Sequence, residues 1–203
     1  MVVGIQCGIY FIVPVAINGE YKMVNIYQVI LGDIPEYLTP CIESVEKFSK
    51  RNDYNYNIIT EIPSWSKDIK LEADVKYLKY LLYRTVSEWI RYDLLRTIEN
   101  VLVVDWDIYL HDDFVIDTSD VCFTSIPIEC MIFNGTKTNI FERMHSLVGD
   151  RINTKPGNLD LVRGINKYIE NNKDFKFNRF DRTKYMHLDN CRLARDYYNQ
   201  AIK

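Results

Sequence analysis

Cysteine and histidine are scarce: five and three in 203 residues. The cysteines, Cys7, Cys41, Cys122, Cys130 and Cys191, are odd in number and never stand at C-x-x-C spacing. That argues against a disulfide framework and a structural zinc site, and for a reducing compartment. Basic charge is not in excess. Lys and Arg total 25 against 28 Asp and Glu, for a formal net charge of −3. Nothing therefore draws the whole chain to nucleic acid or an anionic membrane, and any polyanion contact needs a local patch. There is no long hydrophobic run. Val2 to Ile17, interrupted by Gly4, Gln6, Gly8 and Pro14, falls short of the roughly 20 apolar residues a membrane span needs. It also lacks the positive start of a signal peptide. No membrane span and a cytoplasmic location (host cytoplasm for a viral chain) are expected. Internal repeats and low-complexity segments are absent too.

What is present is enough apolar material for a sizeable core, 47% hydrophobic and 13% aromatic, and a length that suits one domain. Residues 1–22 read as an N-terminal extension, with a hairpin turning at Asn18-Gly19 and a signal anchor as the alternative, and residues 23–203 as the domain.

The chain is organised around Val101-Leu102-Val103-Val104-Asp105-Trp106-Asp107. Four consecutive aliphatic residues predict a strand buried on both faces, as in the middle of a parallel sheet. Unpaired carboxylates are costly in a core, so Asp105 and Asp107 are expected where the strand emerges, at its carboxyl end. In open α/β sheets ligands bind there. Strand alternation would point both acids one way and Trp106 the other. Two hard oxygen donors on one side suit Mg²⁺ or Mn²⁺, ions that use one or two carboxylates plus substrate phosphates. The bland alternative is a turn cap beside a solvated acid. The pair is the only D-x-D in the chain.

Around it the pattern is strand, helix, strand. Asn25 to Leu31 predicts a first strand closed by Gly32-Asp33. Pro35 opens a helix to about Lys50 with Cys41, Ile42, Val45 and Phe48 on its apolar face, and Tyr54 to Thr60 is a second strand. That order implies a parallel pair with a right-handed crossover. Leu71 to Thr97 is the longest helical pattern. Arg84, Glu88 and Arg91 share one of its faces, either as a solvated salt-bridge ladder or as a polar face towards the cleft. Further on, Asp112 and Asp113 read as turn residues. Val121 to Ser125 and Glu129 to Asn134 read as strands, Asn139 to Val148 and Leu159 to Asn171 as helices, Phe175 to Phe180 as a strand, and Arg192 to Ile202 as a last helix. His111 and His145 look like surface residues, while His187 in Met186-His187-Leu188 is either structural or a ligand. Lys173 to Arg195 interleaves aromatic and basic residues. That reads as a solvated face, or as a segment closing over a pyrophosphate or an anionic acceptor.

Ser87-Glu88-Trp89-Ile90-Arg91-Tyr92 followed by Val104-Asp105-Trp106-Asp107 resembles the D-x-D sugar transferases of the GT-A fold, the group of the initiating mannosyltransferases and the glucosylating domains of large clostridial toxins. Ile26 to Gly32 is similar to that family's opening strand, and Thr154-Lys155-Pro156-Gly157 to its T-G-P loop. The resemblance covers about residues 25–163. It implies a mostly parallel central sheet flanked by helices, and transfer of a sugar from a nucleotide-sugar donor, UDP-linked, with retention. The acceptor could be protein, glycan or DNA with hydroxylated bases. It implies Asp105, Asp107 and His187 as ligands of Mn²⁺ or Mg²⁺. Glu88, Arg91 and Asp105 would be catalytic, and Gln28, Val29, Ile30, Arg84, Glu88, Arg91, Asp105 and Trp106 would bind the donor. Glu88 departs from the family's Asp at that place. Two competing readings remain: a HAD-type phosphatase or phosphotransferase, whose D-x-D strand supplies a nucleophile, and a non-catalytic nucleotide-sugar-binding module.

Overall fold

The computed structural model of the chain describes residues 16–17, 20–21, 23–31, 36–61, 76–117, 121–124, 130–136, 138–152 and 159–188. Two short strands, β1 (Ala16–Ile17) and β2 (Glu20–Tyr21), pair antiparallel with Ala16 opposite Tyr21. The central sheet comprises β3 (Asn25–Val29), β4 (Asn55–Ile59), β5 (Val101–Val104), β7 (Val121–Phe123), β8 (Met131–Asn134) and β9 (Asn178–Arg179), in the order β4-β3-β5-β8-β7-β9. The β3/β4, β3/β5 and β7/β9 pairs are parallel, and β8 runs against both its neighbours. A further ribbon, β6 (Ile108–Leu110) with β10 (Tyr185–His187), is antiparallel and separate from that sheet. Among the described helices are α1 (Thr39–Arg51), α2 (Lys76–Thr97), α3 (Asn139–Ile152) and α4 (Leu159–Asn171).

Strand alternation divides the core into two layers. Leu102 and Val104 of β5, with Met131 and Phe133 of β8, face Val45 and Phe48 of α1. Val101 and Val103, with Ile132, face Tyr92 and Leu95 of α2 and Ile140, Phe141 and Met144 of α3. All four β5 side chains are fully buried. Each such burial contributes about 1.5–3 kcal/mol, which makes this strand the axis of the molecule. In α1 the buried residues Cys41, Ser44, Val45, Phe48 and Ser49 recur at helical spacing, and proline occupies the first turn, where its missing N–H costs nothing. The helix ends where Asn52 Nδ2 donates to the Phe48 carbonyl at 2.8 Å and Asp53 takes a left-handed φ of 55°.

Several sequence expectations shift. A 3-10 turn, Glu36–Leu38, precedes α1, so the helix starts at Thr39 rather than Pro35. α3 runs on to Ile152, since Val148 and Ile152 extend its buried stripe. Between Phe175 and Phe180 only Asn178–Arg179 pair as strand, because the aromatic alternation there packs rings against one another instead of extending a ladder. The described part of the long helix begins at Lys76. Thr154 to Gly157 and the expected helix from Arg192 to Ile202 lie outside the described residues. Among those described, no helix is long and apolar enough to cross a membrane.

Candidate active site

β5 ends at Val104, one residue before the first acid. The Asp105 N–H still donates to the Cys130 carbonyl at 2.7 Å, and then the chain turns, with the Ile108 N–H reaching the Asp105 carbonyl at 3.3 Å. Strand alternation therefore does not bring the two carboxylates together, as the spacing suggested. A tight turn does. It forms because Ile108–Leu110 leaves the sheet to pair with β10, placing His187 opposite Ile108. The Trp106 N–H donates to Asp105 Oδ1 at 3.0 Å, a local bond that stabilises such turns. Trp106 itself is half-buried.

The turn is held from below. Gln28 of β3, fully buried, donates from Nε2 to the Asp105 carbonyl at 3.1 Å and accepts from the Tyr56 hydroxyl on β4 at 2.5 Å. Burial pushes the Tyr56 hydroxyl above the ordinary tyrosine pKa, so it is a protonated donor at neutral pH. Val29 and Ile30 are buried, and the Ile30 N–H bonds the Ile59 carbonyl.

Glu88 and Arg91, on α2, are buried beneath the turn at 4% and 2% exposure. Arg91 Nη1 lies 2.9 Å from Glu88 Oε1 and 3.5 Å from Asp105 Oδ2. The ladder of the sequence analysis is thus an interior ion pair that reaches the first acid of the D-x-D. Burial works against the Arg91 guanidinium, and the Glu88 and Asp105 charges more than restore it, so its pKa stands above the usual arginine value. Arg84 is a residue of α2 whose side chain lies outside the described residues.

On the other side, Asp107 is 3% exposed, and its Oδ1 accepts no hydrogen bond of good geometry. His187 Nε2 is 3.3 Å from that oxygen and 3.5 Å from Cys130 Sγ. Burial raises the Asp105 pKa, Arg91 opposes the rise, and the nearby Asp107 charge adds to it. The two carboxylates are thus close enough to repel. Among the described residues, no three His, Cys, Asp or Glu side chains form a group that could hold a metal alone. The donor set suits a hard cation that takes its remaining ligands from elsewhere: two acids, one with a buried, unsatisfied oxygen.

The structure therefore brings Gln28, Glu88, Arg91, Asp105, Asp107 and His187 together at the carboxyl end of β5. Cys130, which enters the cluster at the start of β8, was not singled out by the sequence. No spacing marks it, and only the β5/β8 pairing of Val104 with Met131 brings it in. His145, expected at the surface, packs its ring on Trp89 with centroids 4.5 Å apart and lies 3.5 Å from Asp93, because α2 and α3 pack face to face. Asp112 and Asp113 are turn residues as expected, paired with Lys47 and Lys184.

The sequence matches no protein-family profile and, at a significant level, no curated protein. Solved structures do match in fold. The architecture is that of a GT-A-like α/β domain, a mostly parallel six-stranded sheet flanked by helices. One such structure is a glycosyltransferase involved in the glycosylation of the major capsid of PBCV-1. It aligns over 88% of this chain and 100% of its own, with a TM-score of 0.55 and 13% sequence identity. At that identity the likeness establishes the fold alone. CTP:phosphocholine cytidylyltransferase from Streptococcus pneumoniae aligns more loosely, over 90% of this chain and 100% of its own, with a TM-score of 0.43 and 9% identity.

Proposed function

We propose that this protein is a metal-dependent glycosyltransferase that moves a sugar from a nucleotide-sugar donor, UDP-linked, to an acceptor, with retention. The observation that carries the reading is the pair of acids at the end of β5, Asp105 and the buried Asp107, whose Oδ1 accepts no hydrogen bond. Among the described residues, Arg91 bridges Glu88 and Asp105, and the His187 ring lies 3.3 Å from Asp107. A buried carboxylate oxygen left without a hydrogen bond is costly, and a cation bound with a diphosphate would satisfy it.

Asp107 and Asp105 would hold Mn²⁺ or Mg²⁺, with His187 beside them. When bound, such an ion neutralises charge that grows on the leaving diphosphate as the glycosidic bond breaks. The chain's own residues do the rest. Gln28 and Tyr56 hold the turn so that both acids keep their positions. Arg91, held by Glu88, opposes the rise that burial causes in the Asp105 pKa, and the Asp105 carboxyl would meet a sugar or ribose hydroxyl. Trp106, half-buried at the turn, offers an aromatic surface to the donor.

The test is donor hydrolysis in the presence and absence of Mn²⁺, with a panel of UDP-sugars and a generic phosphate ester. UDP-sugar cleavage that needs Mn²⁺ and drops at least about a hundredfold in Asp107→Asn, with an unchanged melting temperature, is the expected result. Full activity in Asp107→Asn refutes the role of that residue. Cleavage of the phosphate ester alone makes the protein a phosphatase instead.

A further inference from the structure

A pocket lies at the end of the sheet's strands opposite Asp105. β8 runs against β5, so its last residue, Asn134, stands beside Val101, the first residue of β5. Shortly beyond, α3 begins at Asn139. The chain that leaves α4 returns to the same end, where Asn178 pairs with Cys122. Between the first turn of α3 and the last of α4 is an open depression of about 590 Å³.

Its wall is aromatic, and its rim is made of uncharged polar side chains with one Lys and one Asp beside them. Tyr168 and Phe175 meet edge to face, with centroids 5.8 Å apart and planes at 86°. Phe175 also stacks on Phe177 at 5.8 Å and 22°, so the wall is braced from behind. Thr138, Asn139, Asn171 and Asn172 supply the rim. Asn139 and Asn171 are exposed. Asn172 Nδ2 donates to the Tyr168 carbonyl at 2.8 Å, and Thr138 Oγ1 accepts from the Ile140 N–H at 3.1 Å, which fixes both side chains. Lys173 and Asp174, adjacent in the chain and both exposed, add one charge of each sign to the lining.

We propose that this pocket binds a neutral saccharide unit of a glycan. A sugar ring has an apolar C–H face and a rim of hydroxyls, each both donor and acceptor. The Tyr168/Phe175 wall matches the face, and amides match the rim because each carries two donors and an acceptor. A purely apolar ligand would strip water from those amides without replacing its hydrogen bonds. An anion would meet Asp174 as readily as Lys173. The pocket lies beyond the opposite end of β5 from the Asp105 turn, so it acts as a holding site, and it stands whether or not the donor chemistry proposed above is right.

The test is a ¹⁵N–¹H spectrum of the full chain titrated to about 10 mM with maltose, lactose, cellobiose and mannobiose, a range suited to the weak binding of small neutral ligands. At least one sugar should shift the amides of Asn139, Asn171, Asn172 and Phe175. Asn139→Ala and Asn171→Ala should each weaken binding about fivefold, the effect of one lost neutral hydrogen bond, without lowering the melting temperature. Asp107→Asn should bind as the unaltered chain does, which separates this site from the donor cleft. The proposal is overturned if none of the four sugars moves those signals. It also fails if inorganic phosphate or UDP moves them more than any sugar, or if the asparagine variants bind unchanged.

Discussion

Replacing Arg91 with methionine isolates the electrostatic design of the site. The guanidinium is the counter-charge to Glu88 at 2.9 Å and Asp105 at 3.5 Å, and the Arg91 and Glu88 side chains are only 3% and 6% exposed. Methionine keeps most of the apolar stem and removes the charge, leaving two acids facing each other in the interior. Removing one partner of a buried pair costs about 3–5 kcal/mol. A chain of this size loses about 2–4 °C per kcal/mol, so the melting temperature should fall by roughly 6–20 °C at neutral pH. The measurement is thermal and urea unfolding followed by circular dichroism, in EDTA so that no cation substitutes for the lost charge. The penalty should also depend on pH. Burial already raises the Asp105 pKa in the folded protein, and Arg91 opposes the rise, so its loss raises the pKa further. A carboxyl whose folded pKa is raised favours the fold while protonated, and that contribution is lost as pH rises through the folded pKa. The gap between variant and unaltered chain should therefore narrow as the pH is lowered towards the carboxylate range. Adding Glu88→Gln to Arg91→Met should recover part of the loss, since one stranded charge is gone. A loss under about 1 kcal/mol at neutral pH, the range of surface pairs, would refute the argument.

Two further outcomes test the surroundings. Gln28→Leu removes the donor to the Asp105 carbonyl and the acceptor of the Tyr56 hydroxyl. Denaturant midpoints should show a loss of about 1–3 kcal/mol, the cost of leaving buried polar groups unmet, and Gln28→Glu should restore the acceptor alone. His145, packed on Trp89, has its pKa lowered by burial and by Arg96, against the opposing pull of Asp93 and Glu142. Its contribution is complete above the unfolded histidine value near 6.5 and is lost as pH falls below it, because the unfolded chain takes the proton first. Melting curves of His145→Gln should accordingly drop less than those of the unaltered chain between pH 7 and pH 5, and identical slopes would exclude the mechanism.

What the order of residues determined by itself was local. Four adjacent aliphatics at Val101 to Val104 can only be satisfied by burial on both faces, and the structure buries all four. The 3.6-residue recurrence of Cys41, Val45 and Phe48 likewise dictates the buried face of α1. Acids directly after such a strand were expected to mark its exit; the strand does end before Asp105, although Asp107 is buried. From these came the α/β order, while the GT-A-like architecture was what the resemblance of residues 87–92 and 104–107 to the D-x-D sugar transferases implied. Tertiary structure alone decided how the site is assembled. The acids meet through a turn because β6 pairs with β10, a choice of register made across most of the domain. His187 and Cys130, 57 residues apart in the chain, lie within 3.5 Å of each other for the same reason. Whether Glu88 and Arg91 form a solvated ladder or an interior pair depends on what covers α2, and among the described residues the Asp105 turn is part of that cover. Short-range periodicity reports the solvent preference of each face, whereas partners brought together by strand pairing and helix packing leave no signature in spacing.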